Sequence, residues 1–173
     1  HLGTALDYAE AFGQGRWLDL LRTRAYPGHA PYPPVYHWSL APFARGPRAH
    51  LAPVWLNMLY LGLLGGAAAT MAWRLARRDT VSDAGRAAGP ALWAGAAAAV
   101  VVSLSPAILE THRYPFPDIA LAAWVAAAYA LVVHSDRFRQ PGWALAAGLA
   151  AGASLLCKWS AFVYLLPALA AGL

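Results

Sequence analysis

The run LAPVWLNMLYLGLLGGAAATMAW, Leu51 to Trp73, holds no charged side chain. At about 1.5 Å of rise per residue it is long enough, as a helix, to cross a hydrocarbon core about 30 Å thick. A second uncharged run goes from Ala87 to Leu109. Pro90 stands near its start, where the first-turn N–H groups lack helical partners and a proline does little harm. Ile119 to Val133 and Pro141 to Cys157 are shorter, close to the lower limit of about 17 residues for an untilted span. Trp124, Tyr129 and Trp143 flank or sit within them as packing or interface aromatics. A last apolar run goes from Trp159 to Leu173. The pattern predicts an all-α fold, a polytopic transmembrane bundle of about five helices.

Composition agrees. The chain is 60% hydrophobic and 12% charged, against about 45–50% apolar and about 25% charged for a soluble domain. The net charge of +5 would suggest nucleic acid in a soluble protein. Here the arginines fall in short loops between apolar runs, where they act as topology signals and anion contacts, so no nucleic-acid partner is expected. The single cysteine, Cys157, excludes an intrachain disulfide and reads as inert packing. The chain starts at His1 and stops at Leu173 within an apolar run, so the reading expects a fragment cut at both ends.

Residues 1–50 differ from the bundle expected over 51–173. On a helix, Leu2, Ala5, Leu6, Ala9 and Phe12 fall on one side, and Thr4, Asp7, Glu10 and Gln14 on the other. Such a helix lies along a membrane surface rather than crossing it. Gly13 and Gly15 end the pattern. A second apolar patch at Trp17-Leu18 and Leu20-Leu21 precedes the proline-rich stretch Tyr26 to Pro34, which cannot be helical at Pro33-Pro34. Gly62-x-x-x-Gly66 and Gly148-x-x-x-Gly152 are spaced for close helix contact, read as generic packing.

Arg74, Arg77, Arg78 and Arg86 lie between the first two runs, and Arg137 and Arg139 between the third and fourth. By the positive-inside rule both loops are cytoplasmic. Arg16, Arg22, Arg24, Arg45 and Arg48 oppose this orientation, and anionic lipid or phosphate substrates would give them a role. Alternation gathers Asp7, Glu10, Glu110, His112, Arg113, Asp118 and Lys158 at one membrane face.

Ionisable groups beside hydrocarbon mark a pathway or a site. Asp118 follows Pro117 at a predicted helix start, where a plain cap is as good a reading as a catalytic one. Lys158 interrupts an apolar stretch from Pro141 to Leu173. It is tolerated there by reaching the interface or by pairing with an anion, of which a lipid phosphate is one. Asp7 and Glu10 read first as a solvated face. His29, His37, His50 and His112 have no spacing that reads as a metal site, and no zinc is assigned.

The ordered set Gly15-Arg16-Trp17, Tyr32-Pro33-Pro34-Val35-Tyr36-His37-Trp38, Ser105-Pro106, Asp118 at a helix start, and Gly148 to Lys158-Trp159-Ser160 resembles the N-terminal membrane half of GT-C glycosyltransferases. The resemblance is to the dolichyl-phosphate-mannose protein mannosyltransferase and aminoarabinose transferase type, and it covers nearly the whole chain. It implies a multi-pass enzyme, as in a bacterial inner membrane, that takes a sugar from a polyprenyl-phosphate carrier at the outer face and inverts the anomeric centre. It implies no certain cofactor, with a divalent metal left open, and membrane lipid as a partner; the acceptor is not specified. Carried over by position, Asp118 is the acidic residue beside the catalytic cavity and Lys158 faces the carrier phosphate. Arg113, Glu110 and His112 stand near them, and Tyr32 and Tyr36 belong to the first outer loop that shapes the cavity. The family's catalytic acid falls at or before His1 in this register, and Asp7 substitutes for it only under a different register. A transporter or flippase, and a non-catalytic assembly subunit, are the alternative readings.

Overall fold

A computed structural model describes residues 2–16, 34–45, 47–79, 88–111 and 116–172. Among these residues the fold is all-helical, with eight α-helices and two short 3-10 turns. Helix α1 spans Leu2–Gly13 and α2 spans Val35–Leu40. The 3-10 turns Ala41–Phe43 and Ala49–Leu51 lead into the long α3, Ala52–Asp79. Then follow α4 (Ala88–Ser103), α5 (Pro106–Thr111), α6 (Asp118–His134), α7 (Pro141–Leu155) and α8 (Ala161–Gly172).

Prolines set several boundaries that the hydropathy pattern alone does not. The expected single run Ala87 to Leu109 is split: α4 ends at Ser103 and α5 restarts at Pro106. The residue before a proline is disfavoured in the α region, and Pro106 has no N–H to continue the ladder. Pro141 occupies the first position of α7, where its missing donor is harmless. The helices are consequently shorter than five full spans would be. Ala49–Arg77 is long and apolar enough to cross a membrane, while Gly89–Ser103 and Asp118–His134 are apolar but shorter.

The bundle is small inside and greasy outside. Its core holds Ala120, Ala123, Ala127, Ala128 and Ala150 beside Leu56, Leu64 and Ile119. Leu92, Trp93, Val101, Leu145 and Leu149 face outward, with Trp93 78% exposed. Large apolar patches of this kind are rare on soluble monomers and suit a lipid solvent. Helices α3 and α4 run antiparallel, since Gly65 packs against Ala99 and Ser103 while Gly95 packs against Ala69 and Trp73. Helix α6 lies alongside α3, and α7 returns against α6. At the far end His134 and Trp143 stack with ring centroids 5.2 Å apart, closing the α6–α7 hairpin. Trp124 packs against the core, and the Tyr129 hydroxyl donates to the Tyr164 carbonyl at 2.7 Å, so both serve packing here.

Two details differ from the sequence reading, and a third part of it is not described. The face that α1 buries is Thr4, Ala5, Tyr8, Ala9 and Ala11, whereas Leu6 and Phe12 of the apolar stripe remain exposed. Tyr8 accounts for this, because its ring packs edge-on against Trp38 and against His37, drawing its own side of the helix inward. Secondly, Gly62 and Gly66 meet no neighbour at close range. They line an open groove of about 390 Å³ with Ala127, Ala130 and Trp143. Gly148 and Gly152 are likewise open, and the tight approaches occur at Gly65 and Gly95. Thirdly, the expected patch at Trp17 to Leu21 and the proline-rich stretch up to Pro33 lie outside the described residues.

A Cβ added at Gly95 would stand 2.9 Å from the Ala69 carbonyl oxygen, a backbone atom that cannot swing away. Gly95→Ala is therefore expected to lower the melting temperature in detergent, by an overpacking loss of about 1–3 kcal/mol. Gly66→Ala, placed in open space, should leave it unchanged or slightly higher. Equal melting of the two variants would show that α3 and α4 are not in close contact at that point.

Candidate active site

Asp118 and Lys158, forty positions apart, meet at one end of the bundle. The Lys158 ammonium donates a hydrogen bond to Asp118 Oδ1 at 2.6 Å, closing an ion pair. The two side chains remain 35% and 45% exposed, so the pair stands at a solvated rim rather than in the core. Each member is fixed by local structure. Asp118 is the first residue of α6, where its charge complements the positive end of the helix dipole. It is not the N-cap itself, one of the two readings that the sequence leaves open. Pro117 takes that position, no side-chain bond caps the helix, and the Asp118 carboxylate turns to the lysine instead.

Lys158 occupies the turn between α7 and α8. Its backbone N–H donates to the Ser154 carbonyl at 3.1 Å, and its own carbonyl accepts from Ala161 N–H at 3.0 Å. Neighbouring Cys157 and Ser154 are fully buried and anchor the turn, which fits the packing role read for the cysteine.

A third segment locks onto this turn. The Val35 N–H at the start of α2 donates to the Leu156 carbonyl at 3.0 Å. Tyr36, fully buried, stacks on Tyr60 of α3 with centroids 6.5 Å apart, and its hydroxyl reaches Asn57 Oδ1 at 3.4 Å. Ser39 spends its single hydroxyl proton on the Val35 carbonyl at 2.8 Å. The 2.7 Å contact between Ser39 Oγ and Tyr60 therefore has the phenol as donor. Burial, followed by the neighbouring Tyr60, holds the Tyr36 hydroxyl above the ordinary tyrosine value. Asn57, Tyr60 and Ser39 were not singled out from the sequence. A buried asparagine in an otherwise apolar run was the available signal, since such a group needs a partner.

The remaining expected residues divide in two. Asp7 is half-buried and Glu10 exposed on α1, where Gln14 Nε2 donates to Glu10 at 2.7 Å; Glu110 is exposed on α5. Tyr32, His112 and Arg113 lie outside the described residues. Among the described residues no three histidine, cysteine, aspartate or glutamate side chains gather as a metal site.

The sequence profile of the dolichyl-phosphate-mannose-protein mannosyltransferase family matches residues 84–173, just over half of the chain. The chain belongs to this family. It is a family of integral membrane glycosyltransferases that use a lipid-linked sugar donor, and its match contains both Asp118 and Lys158. Comparison with curated proteins and with solved structures gives no match. Helices α1 to α3, including the α2 clamp on the Lys158 turn, precede the mannosyltransferase-family match.

Because the folded protein keeps the Tyr36 phenol neutral, its contribution is fully present below the unfolded value near 10 and is lost as pH rises above it. Tyr36→Phe should lower stability at neutral pH by about 1 kcal/mol, the net worth of one hydrogen bond. It should also flatten the alkaline loss of stability. Thermal melts from neutral pH upward check this, and an alkaline limb identical in both proteins would remove Tyr36 from the account.

Proposed function

We propose that this chain is part of a multi-pass membrane glycosyltransferase that moves a sugar from a polyprenyl-phosphate carrier to an acceptor with inversion at C1. Residues 1–50 form a cap at the outer face, and residues 51–173 form the transmembrane bundle. The observation that carries the reading is the 2.6 Å pair of Lys158 with Asp118 at one end of the bundle, within the family match.

The chemistry follows from what breaks and forms. The C1–oxygen bond to the carrier phosphate breaks, its electron pair goes to the phosphate oxygen, and an acceptor oxygen bonds C1 from the opposite side. The acceptor's proton passes to an acidic side chain. Negative charge grows on the departing phosphate, and a fixed ammonium stabilises that charge more than it stabilises the bound donor. Lys158 supplies the ammonium and Asp118 orients it. A part-exposed pair of this kind is worth only about 0–1 kcal/mol. A phosphate can therefore recruit the lysine cheaply, and Asp118 is then released to accept a hydrogen bond from acceptor or sugar. Asp7 on α1 is the carboxylate assigned to proton removal within this chain, and Glu110, His112, Arg113 and Tyr32, of which only Glu110 is among the described residues, are assigned to donor binding on the family resemblance. Tyr36 is a positioning residue, since its buried ring stacks on Tyr60 of α3 and seats α2, whose Val35 amide holds the Lys158 turn.

The place of the charges supports chemistry over transport. Asp118 stands at a helix start and Lys158 in a turn, whereas a transport pathway calls for charge near mid-bilayer on broken helices.

Lys158→Ala and Asp118→Asn are each expected to reduce transfer from a polyprenyl-phospho-sugar donor by about 10²–10³ in kcat, the usual consequence of removing one charge-stabilising group. Membrane insertion and melting temperature should change little, because a part-exposed pair contributes little to stability. Membranes carrying the intact variant proteins provide the assay. Wild-type rates in both variants would overturn the assignment.

A further inference from the structure

The same end of the molecule holds a second concavity that shares no residue with the Asp118 and Lys158 pair. It measures about 420 Å³ and lies between the last turns of α1, at Ala9, Phe12 and Gly13, and the segment carrying Trp38, Pro42 and Arg45. Its walls are apolar and aromatic except at one point. There the Arg45 guanidinium donates to the Ala9 carbonyl at 2.8 Å and lies against Gly13, where an added Cβ would stand 3.5 Å from Nη2. A guanidinium carries five N–H donors. Among the described residues no other hydrogen bond and no ion pair engages this one. On the same wall, the Trp38 indole N–H is buried with no acceptor among the described residues.

The surroundings are cationic and greasy together. Arg16 follows the end of α1 and Arg48 follows Arg45 by three residues, and both are exposed. The nearest acid along α1, Glu10, is engaged by Gln14 and does not line the cleft. Leu6, Phe12 and Phe43 leave large apolar surfaces exposed beside these arginines. An apolar slot with a cation pinned at its mouth, on a helix whose sequence suits a membrane surface, complements an amphiphile with an anionic head.

We infer that this cleft binds the headgroup of an anionic membrane phospholipid, with Arg45 on the phosphate and Phe12 and Trp38 against the glycerol and the first acyl carbons. The inference depends on membrane residence and is independent of the transfer chemistry proposed above.

The test uses the intact protein in detergent and reads its melting temperature against added short-chain phosphatidylglycerol, phosphatidylcholine of the same chain length, and inorganic phosphate. Binding to the folded state raises the melting temperature in a saturable way. Phosphatidylglycerol should produce that rise and the other two should not. Arg45→Gln should raise its half-saturating concentration about fivefold, the effect of one basic residue near a charged lipid. Should Arg45→Gln fail to fold, Phe12→Ala, at an exposed position, should weaken binding with the charge intact. Equal effects of phosphatidylglycerol and phosphatidylcholine, a full effect of phosphate alone, or a wild-type response in both variants would overturn the inference. Competitive displacement by a polyprenyl phosphate would overturn it too, by making the cleft part of the donor site.

Discussion

The bond between Lys158 and Asp118 joins two parts of the bundle that nothing else in the sequence requires to meet at that point. One partner opens α6 and the other sits in the turn that ends the α6–α7 hairpin. A lysine beside hydrocarbon is stable only where it reaches water or an anion. Part exposure and the carboxylate meet both conditions. The antiparallel return of α7 on α6 is what makes the meeting possible, and the stack of His134 on Trp143 closes the opposite end of that hairpin. Charge at one end and aromatic packing at the other thus fix one register.

Much of this was legible in the sequence for a simple reason. Long uncharged runs admit few alternatives, and alternation of helices places Asp118 and Lys158 on a common side whatever the orientation. The helical character of the runs and the terminus near Gly13 follow from hydropathy and glycine placement. What was not legible depended on three-dimensional neighbours. No pattern within α1 says that Tyr8 will outweigh Leu6 and Phe12 in choosing the buried side. Likewise, Gly62 and Gly66 have the spacing of a close contact, yet Gly65 and Gly95 make it, because the rotation of α4 about α3 decides which glycine meets a backbone. Asp118 reads equally well in sequence as a cap and as a catalytic carboxylate, and its ion pair with Lys158 depends on a residue forty positions away.

The arginines before α3 were the awkward feature of a topology that places them at the outer face. Arg45 is now accounted for in two ways that do not compete. It neutralises the carbonyl end of α1, and it presents a cation at the mouth of an apolar cleft. With the proposed lipid site, positive charge at that face would be matched locally by headgroups, which leaves the orientation expected from Arg74, Arg77, Arg137 and Arg139 unopposed by Arg45.

The joint between α2 and the lysine turn includes a main-chain bond, the Val35 amide on the Leu156 carbonyl. Side-chain exchange at either position leaves donor and acceptor in place, and only a proline at 35 deletes the amide hydrogen. Seating of the lysine turn by that bond is thereby indifferent to the size and charge of either side chain.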